Sequence, residues 1–156
     1  MAKPNGALCN LNCKYCFYSP KKELYPDNEI GMSDQVLEEY IRQYIDATHI
    51  LEITFSWQGG EPTLMGIEFF KKAIKYQEKY KKPGLQIYNN IQTNGILLND
   101  EWCQFFRENN FLIGISIDGP KELHDTYRKD MKGNPSFDRV MNAIRPCKNM
   151  GLNSIF

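Results

Sequence analysis

The stretch Cys9-Asn10-Leu11-Asn12-Cys13-Lys14-Tyr15-Cys16 constrains this chain more than any other. It sets three thiols in a CxxxCxxC spacing with no fourth cysteine nearby. Three thiolates are one ligand short of a closed tetrahedral zinc site or of a fully ligated four-iron cluster. A 4Fe–4S cube gripped this way keeps one iron open to a ligand from solution. A zinc site completed by a distant histidine is the competing reading, although structural zinc usually takes its ligands from two short knuckles. Buried, unliganded thiols are a third reading. A loop that also carries Asn10, Asn12 and Lys14 does not read as core.

The remaining composition narrows the class. The 156 residues suit at most one ordinary domain, and a hydrophobic fraction of 42% with 13% aromatics supplies a core. A formal net charge of zero leaves no electrostatic footprint for nucleic acid or an anionic membrane. No apolar run approaches a membrane span and no secretory signal opens the chain. Five cysteines with three clustered point to a reducing compartment, so a cytoplasmic enzyme is expected.

Along the chain, strand and helix patterns alternate. Ala2 to Leu8 reads as the end of a first strand running into the cysteine loop, and Ser19 to Gly31 as loop. Ser33 caps a helix whose apolar face is Val36, Leu37, Tyr40, Ile41, Tyr44 and Ile45. Leu51 to Trp57 alternates as a strand and stops at Gln58-Gly59-Gly60-Glu61-Pro62. A helix with Ile67, Phe70, Ala73, Ile74 and Tyr80 follows, then a strand from Leu85 to Thr93. Asn99 caps a third helix, which places Cys103 as a core thiol, and Phe111 to Ile117 forms the fourth strand. Asn134-Pro135 reads as a cap and first-turn proline, Pro146 as a kink or early stop, and Gly151 as the helix end. Nothing pairs Cys147 with a site, and Leu152 to Phe156 begins a fifth strand. This order predicts parallel strands with helices outside, and chemistry at the C-terminal strand ends. The cysteine loop, GGEP, QTNG and SIDGP all fall at such ends.

With these residues in place, CNLNCKYCFY resembles the cluster motif of the radical S-adenosylmethionine enzymes. The resemblance implies a partial (β/α)6 barrel, of which these residues cover about the first four β/α units. It implies a 4Fe–4S cluster on Cys9, Cys13 and Cys16, with S-adenosylmethionine on the open iron. Tyr15 would face the adenine, the Gly60 backbone would meet the methionine amino group, and Ser116 and Arg128 would also contact this cofactor. A hydroxyl at a strand end suits ribose or carboxylate, and a guanidinium suits a carboxylate fork. Gln92, Thr93, Asn94 and Asp118 are further candidates at the mouth without assigned roles. His124 is a weak candidate as ligand or base.

The resemblance extends between the motifs. AKPNGALCNLNCKYCFY, WQGGEPTLMGIEFF, IYNNIQTNGILLNDEW and FLIGISIDGPKELHDTYR are similar to the anaerobic sulfatase-maturating enzymes. This implies oxidation of a cysteine or serine in a sulfatase peptide to formylglycine, with a donor such as ferredoxin or flavodoxin. Hydrogen abstraction from the substrate β-carbon would be followed by loss of a proton to a base and of an electron. Those enzymes are more than twice as long. The expected base, the rest of the barrel and a domain with auxiliary clusters lie beyond residue 156, so residues 1–156 read as the N-terminal part of the core domain. Such a piece is expected to be poorly stable and to lack turnover. Another peptide-modifying radical enzyme, forming thioether or carbon–carbon crosslinks, and a non-catalytic zinc module remain as alternatives.

Overall fold

The structure, a computed structural model, describes residues 1–24, 31–152 and 154–155. Four strands, β1 (Glu52–Trp57), β2 (Gln86–Thr93), β3 (Leu112–Ile115) and β4 (Ser154–Ile155), form one sheet in chain order. Every adjacent pair is parallel. Parallel neighbours need crossovers, and helices supply them. Helix α1 (Asp34–Asp46) precedes β1, and α2 (Ile67–Tyr80) and α3 (Asp100–Glu108) make the next two connections. Helices α4 (Lys121–Tyr127) and α5 (Phe137–Asn149) together link β3 to β4. This is the expected α/β order, a truncated barrel wall. No helix among the described residues is long and apolar enough to cross a membrane.

The strand alternation decides which face is covered. Ile53, Phe55, Trp57, Ile91, Ile113 and Ile115 point to the helices and are buried. The opposite face shows Tyr88 and Leu112, which remain 50% and 41% exposed. Phe70 on α2 joins the layers. Its ring lies 5.6 Å from both Trp57 and Trp102, edge-on, and 6.4 Å from Phe111. The α2 face is not wholly apolar, since Gln77 is buried too. It exchanges amide hydrogen bonds of 2.8 and 2.9 Å with Asn89 on β2, whose Oδ1 also accepts Trp57 Nε1–H at 3.0 Å. Burial without those partners would be costly, so the network sets the register of α2 on the sheet.

Helix starts follow the predicted caps at Ser33 and Asn99, whose side chains accept the Val36 and Trp102 N–H groups. At α5 the structure corrects the sequence reading. Asn134 is not the cap. Asp125, at the end of α4, accepts the N–H groups of Ser136 and Phe137 through Oδ1 at 3.0 and 2.9 Å. Pro146 does not stop α5. It sits near the helix end, where the carbonyl it leaves unpaired, that of Asn142, is on an exposed residue that water can serve. Gly151 follows in the left-handed region at φ 67°, the expected end signal. Helix α4, only seven residues long, leaves no readable period in the sequence.

Three further expectations change. The strand predicted at Ala2 to Leu8 is a single parallel bridge from Ala2 to Trp57. Turns at Gly6 and Leu8 fold the backbone away directly afterwards. Within Ser19 to Gly31, Ser19–Leu24 is a 3-10 helix, and residues 25–30 lie outside the described residues. Cys103 and Cys147, read as a core thiol and an unpaired one, are joined as a disulfide between α3 and α5. The fifth strand begins as expected, with Ser154 and Ile155 beside Ile113 and Gly114.

The reassigned cap has a measurable consequence. Asp125→Ala should lower stability by about 1 kcal/mol in a urea titration, and Asn134→Ala by clearly less. The reverse ranking would restore Asn134 as the cap.

Candidate functional site

One cleft of ≈ 270 Å³ opens at the C-terminal ends of the strands. Cys9, Cys13, Cys16, Tyr15, Gly60, Ser116 and Arg128 all line it. Residues as far apart in sequence as Cys9 and Arg128 are therefore brought together as expected.

The turn after β1 forms one wall. Gly59 and Gly60 take φ of 109° and 54°, in the left-handed region. A Cβ on Gly60 would run into the carbonyl oxygen of Leu8. Only glycine lets the turn lie this close to the entry of the cysteine loop. The contact is secured by Glu61 N–H donating to Leu8 O at 2.8 Å and by Asn5 Nδ2 donating to Glu61 O at 2.7 Å.

Glu61 borders the cleft, yet it is only 1% exposed. Its Oε1 accepts from Thr63 N–H at 3.1 Å, Thr63 Oγ1 at 2.5 Å and Thr93 Oγ1 at 2.7 Å. Its Oε2 accepts from Asn94 N–H at 2.7 Å. Burial pushes this carboxyl up from its ordinary value, against the four donors that favour the carboxylate. Asn94, thus fixed at the end of β2, donates through Nδ2 to Asn10 Oδ1 at 2.7 Å and to Cys9 Sγ at 3.6 Å. Leu11 N–H adds a second donor to Cys9 Sγ at 3.4 Å.

The far side of the cysteine loop is tied to the segment after α4. Asn12 and Lys14 N–H donate to the Lys129 and Tyr127 carbonyls at 2.8 and 2.9 Å. Between them lies a charged cluster. Tyr15 Oη–H donates to Asp118 Oδ2 at 2.5 Å. Arg128 Nη2 donates to Asp118 Oδ1 at 3.0 Å, and Arg128 Nε lies 3.0 Å from Oδ2. The guanidinium carbon sits 5.5 Å from the Tyr15 ring centroid, a cation–π distance. The Arg128 side chain is only 14% exposed, so it is not a solvated surface charge. Burial opposes charge on Asp118, yet Arg128 and the Tyr15 hydroxyl hold its carboxyl below the ordinary range. Burial and the Asp118 carboxylate push the Tyr15 hydroxyl up. Only Nη2 makes a hydrogen bond to Asp118; Nε, although 3.0 Å from Oδ2, is buried without a hydrogen-bond partner of its own.

Ser116 lies opposite and accepts from Gln92 Nε2 at 2.9 Å. Gln92 can cross the β3 strand only because Gly114 has no side chain there. His124, the weak candidate for ligand or base, does not line the cleft and is fully buried. Glu61, Asn94 and Asp118 have defined structural roles that the sequence reading did not assign. Their one sequence signal is position, at strand ends directly beside the motif residues.

The donor set of the cleft is three thiols and no carboxylate directly between them. Burial pushes the Cys9 and Cys13 thiols up, while N–H donors on Cys9 and the charge of Arg128 near Cys13 pull toward thiolate. Among the described residues no three His, Cys, Asp or Glu side chains are gathered closely enough to hold a metal ion.

Comparison with known proteins agrees with this geometry. The model of the Radical SAM superfamily matches residues 6–156. The chain is 51% identical over 153 residues to a serine-type anaerobic sulfatase-maturating enzyme of Bacteroides thetaiotaomicron, covering 97% of this chain and 37% of that relative. It is 42% identical over 144 residues to a cysteine-type anaerobic sulfatase-maturating enzyme of Clostridium perfringens, covering 92% of this chain and 39% of the relative. Among solved structures it resembles native anSMEcpe with bound AdoMet, with a TM-score of 0.89 at 40% identity, covering 97% of this chain and 41% of that one. A second structure, with AdoMet and the Cp18Cys peptide, gives a TM-score of 0.87 at 41% identity, covering 97% and 40%. The chain thus spans well under half the length of the relatives it matches.

Because Glu61 serves four donors, Glu61→Gln puts an amide N–H₂ where at least one donor needs an acceptor. The loss should be about 1–3 kcal/mol in denaturant unfolding. Unchanged stability would show that the carboxylate does not clamp the loops.

Proposed function

This chain belongs to the radical SAM superfamily, and on that premise we propose that it is the cofactor-binding part of a sulfatase maturase. The reading is that residues 1–156 form the first portion of the core domain of an enzyme that oxidises a cysteine or serine of a sulfatase peptide to formylglycine. The observation that carries it is the convergence of Cys9, Cys13, Cys16, Tyr15, Gly60, Ser116 and Arg128 on one cleft. Support also comes from relatives at 51% and 42% identity that carry this activity in their names, and from solved neighbours with bound AdoMet and peptide.

The residues fit the cofactors. Cys9, Cys13 and Cys16 would hold a 4Fe–4S cluster, with the N–H groups of Leu11 and Asn94 compensating negative charge on the Cys9 sulfur. A bound, reduced cluster with S-adenosylmethionine would supply the radical chemistry that hydrogen abstraction from a substrate carbon requires. The chain's own part is binding and orientation. The Gly60 backbone would meet the amino group, because the turn has no side chain there to hold a ligand off. The Arg128 guanidinium would pair with the carboxylate, and the Ser116 hydroxyl, oriented by Gln92, would bond ribose or carboxylate. Tyr15, braced by Asp118 and Arg128, offers an aromatic wall to the adenine. The base that takes the substrate proton is not among these residues in this reading. The electron arrives from a ferredoxin- or flavodoxin-type donor.

Anaerobic reconstitution with iron and sulfide tests the proposal. The expected product is a brown protein whose cluster spectrum changes on adding S-adenosylmethionine. A colourless protein holding one zinc would overturn it in favour of an interaction module. Cys13→Ala should fail to hold the full cluster, measured as iron and sulfide per chain. Arg128→Lys should keep the cluster but bind S-adenosylmethionine about tenfold more weakly by equilibrium dialysis, since an ammonium cannot both hold Asp118 and reach the ligand as the planar guanidinium can. Incubation of the full-length protein with a sulfatase peptide, read by mass spectrometry, separates maturation from crosslinking. Loss of 2 Da from a serine marks the aldehyde, and a joined residue pair marks the rival chemistry.

A further inference from the structure

His124 is fully buried, edge-on to Phe137 with ring centroids 5.5 Å apart. A core histidine usually needs no further role. This one is distinguished by what its two nitrogens touch. Nδ1 faces the backbone N–H of Asp118 at 3.4 Å. Nε2 lies 2.9 Å from Ser136 Oγ. The Ser136 hydroxyl in turn donates to the carbonyl of Arg128 at 2.8 Å.

The hydrogens in this chain can be assigned without ambiguity. Ser136 has one hydroxyl hydrogen and spends it on Arg128 O, so its oxygen must accept from Nε2–H. The Asp118 N–H can only donate, so Nδ1 must carry a lone pair. The imidazole is therefore neutral and held as the Nε2–H tautomer. The relay runs from the backbone of Asp118 to the backbone of Arg128, and these are the two residues whose side chains pair at the cleft. Ser136 is itself anchored by Asp125 Oδ1 on its N–H. Asp118, Arg128 and Asp125 are the charged groups that act on the ring.

We propose that His124 is a positioning residue for the S-adenosylmethionine site, fixing through Ser136 the separation of the Asp118 and Arg128 backbones so that their ion pair meets Tyr15 and holds the guanidinium at the cleft. The proposal rests on the cofactor reading given above. It adds a residue remote from the cleft whose tautomer, not merely its volume, sets cofactor affinity.

The test uses the full-length protein and two readouts. Nitrogen NMR of histidine-labelled, cluster-free protein reports the tautomer. A single Nε2–H species for His124 is expected, and an Nδ1–H or doubly protonated ring at neutral pH overturns the proposal. Equilibrium dialysis of S-adenosylmethionine against the reconstituted protein is the second readout, with iron content as control. Ser136→Ala, which keeps the core volume nearly intact, should weaken binding about tenfold, the equivalent of a lost hydrogen bond, with iron content unchanged. His124→Phe should do the same, and His124→Gln, which returns an N–H donor toward Ser136, should recover part of the affinity. Should His124→Phe fail to fold, Ser136→Ala decides. Wild-type affinity in Ser136→Ala overturns this proposal alone. A wild-type protein that takes up cluster but no S-adenosylmethionine overturns the cofactor reading and this proposal with it.

Discussion

The Glu61 carboxylate is the interaction on which the site depends. Four donors from Thr63, Thr93 and Asn94 converge on it in a fully enclosed position. A carboxylate taken out of water needs such a set of partners, and each partner is thereby fixed. The turn after β1 and the end of β2 become one rigid unit. That unit grips the cysteine loop through Leu8 and Asn10. The glutamate of the GGEP motif is thus a clamp between strand ends. Its backbone faces the cysteine loop, and its side chain holds the frame.

The second half of the frame is held by charge. Asp118 joins β3 to the residue after α4 through Arg128, and both to the cysteine loop through Tyr15. An ion pair this shielded is poor as a source of net stability, because desolvation offsets much of the attraction. Its value lies in direction. It holds the guanidinium at the cleft, with Nη2 bonded to Asp118 and Nε beside it without a hydrogen-bond partner. The cysteine loop is therefore strung between two clamps, one built on a buried carboxylate and one on an ion pair. Neither is built on a thiol, although Asn94 of the first clamp also donates to Cys9 Sγ.

Much of the architecture could be read from residue order because it rests on local periods. Alternation in Leu51 to Trp57 and the i, i+4 spacing in Val36 to Ile45 place strands and helices directly. The caps at Ser33 and Asn99 act within three residues. Reading failed where the partner is distant or the element short. Asp125 caps α5 across a gap of 11 residues to Ser136, so the nearer Asn134 looked like the better candidate. Helix α4 is too short to show a period. Buried Gln77 looks polar and exposed until Asn89 is found beside it. Cys103 and Cys147 lie 44 residues apart, and only the packing of α3 against α5 makes them neighbours.

The residue order alone determined the donor set: three thiols in one loop, glycines where backbone must approach backbone, and polar groups at the ends of parallel strands. These are properties of side-chain chemistry and of spacing within a few residues. The tertiary structure alone decided how the donors are held. Tyr15 finds Asp118 across 103 residues, Thr93 finds Glu61 across 32, and His124 connects the two backbones of the ion pair. Such pairings depend on which strand ends lie side by side. That is set by the packing of helices on the sheet, and no local pattern encodes it.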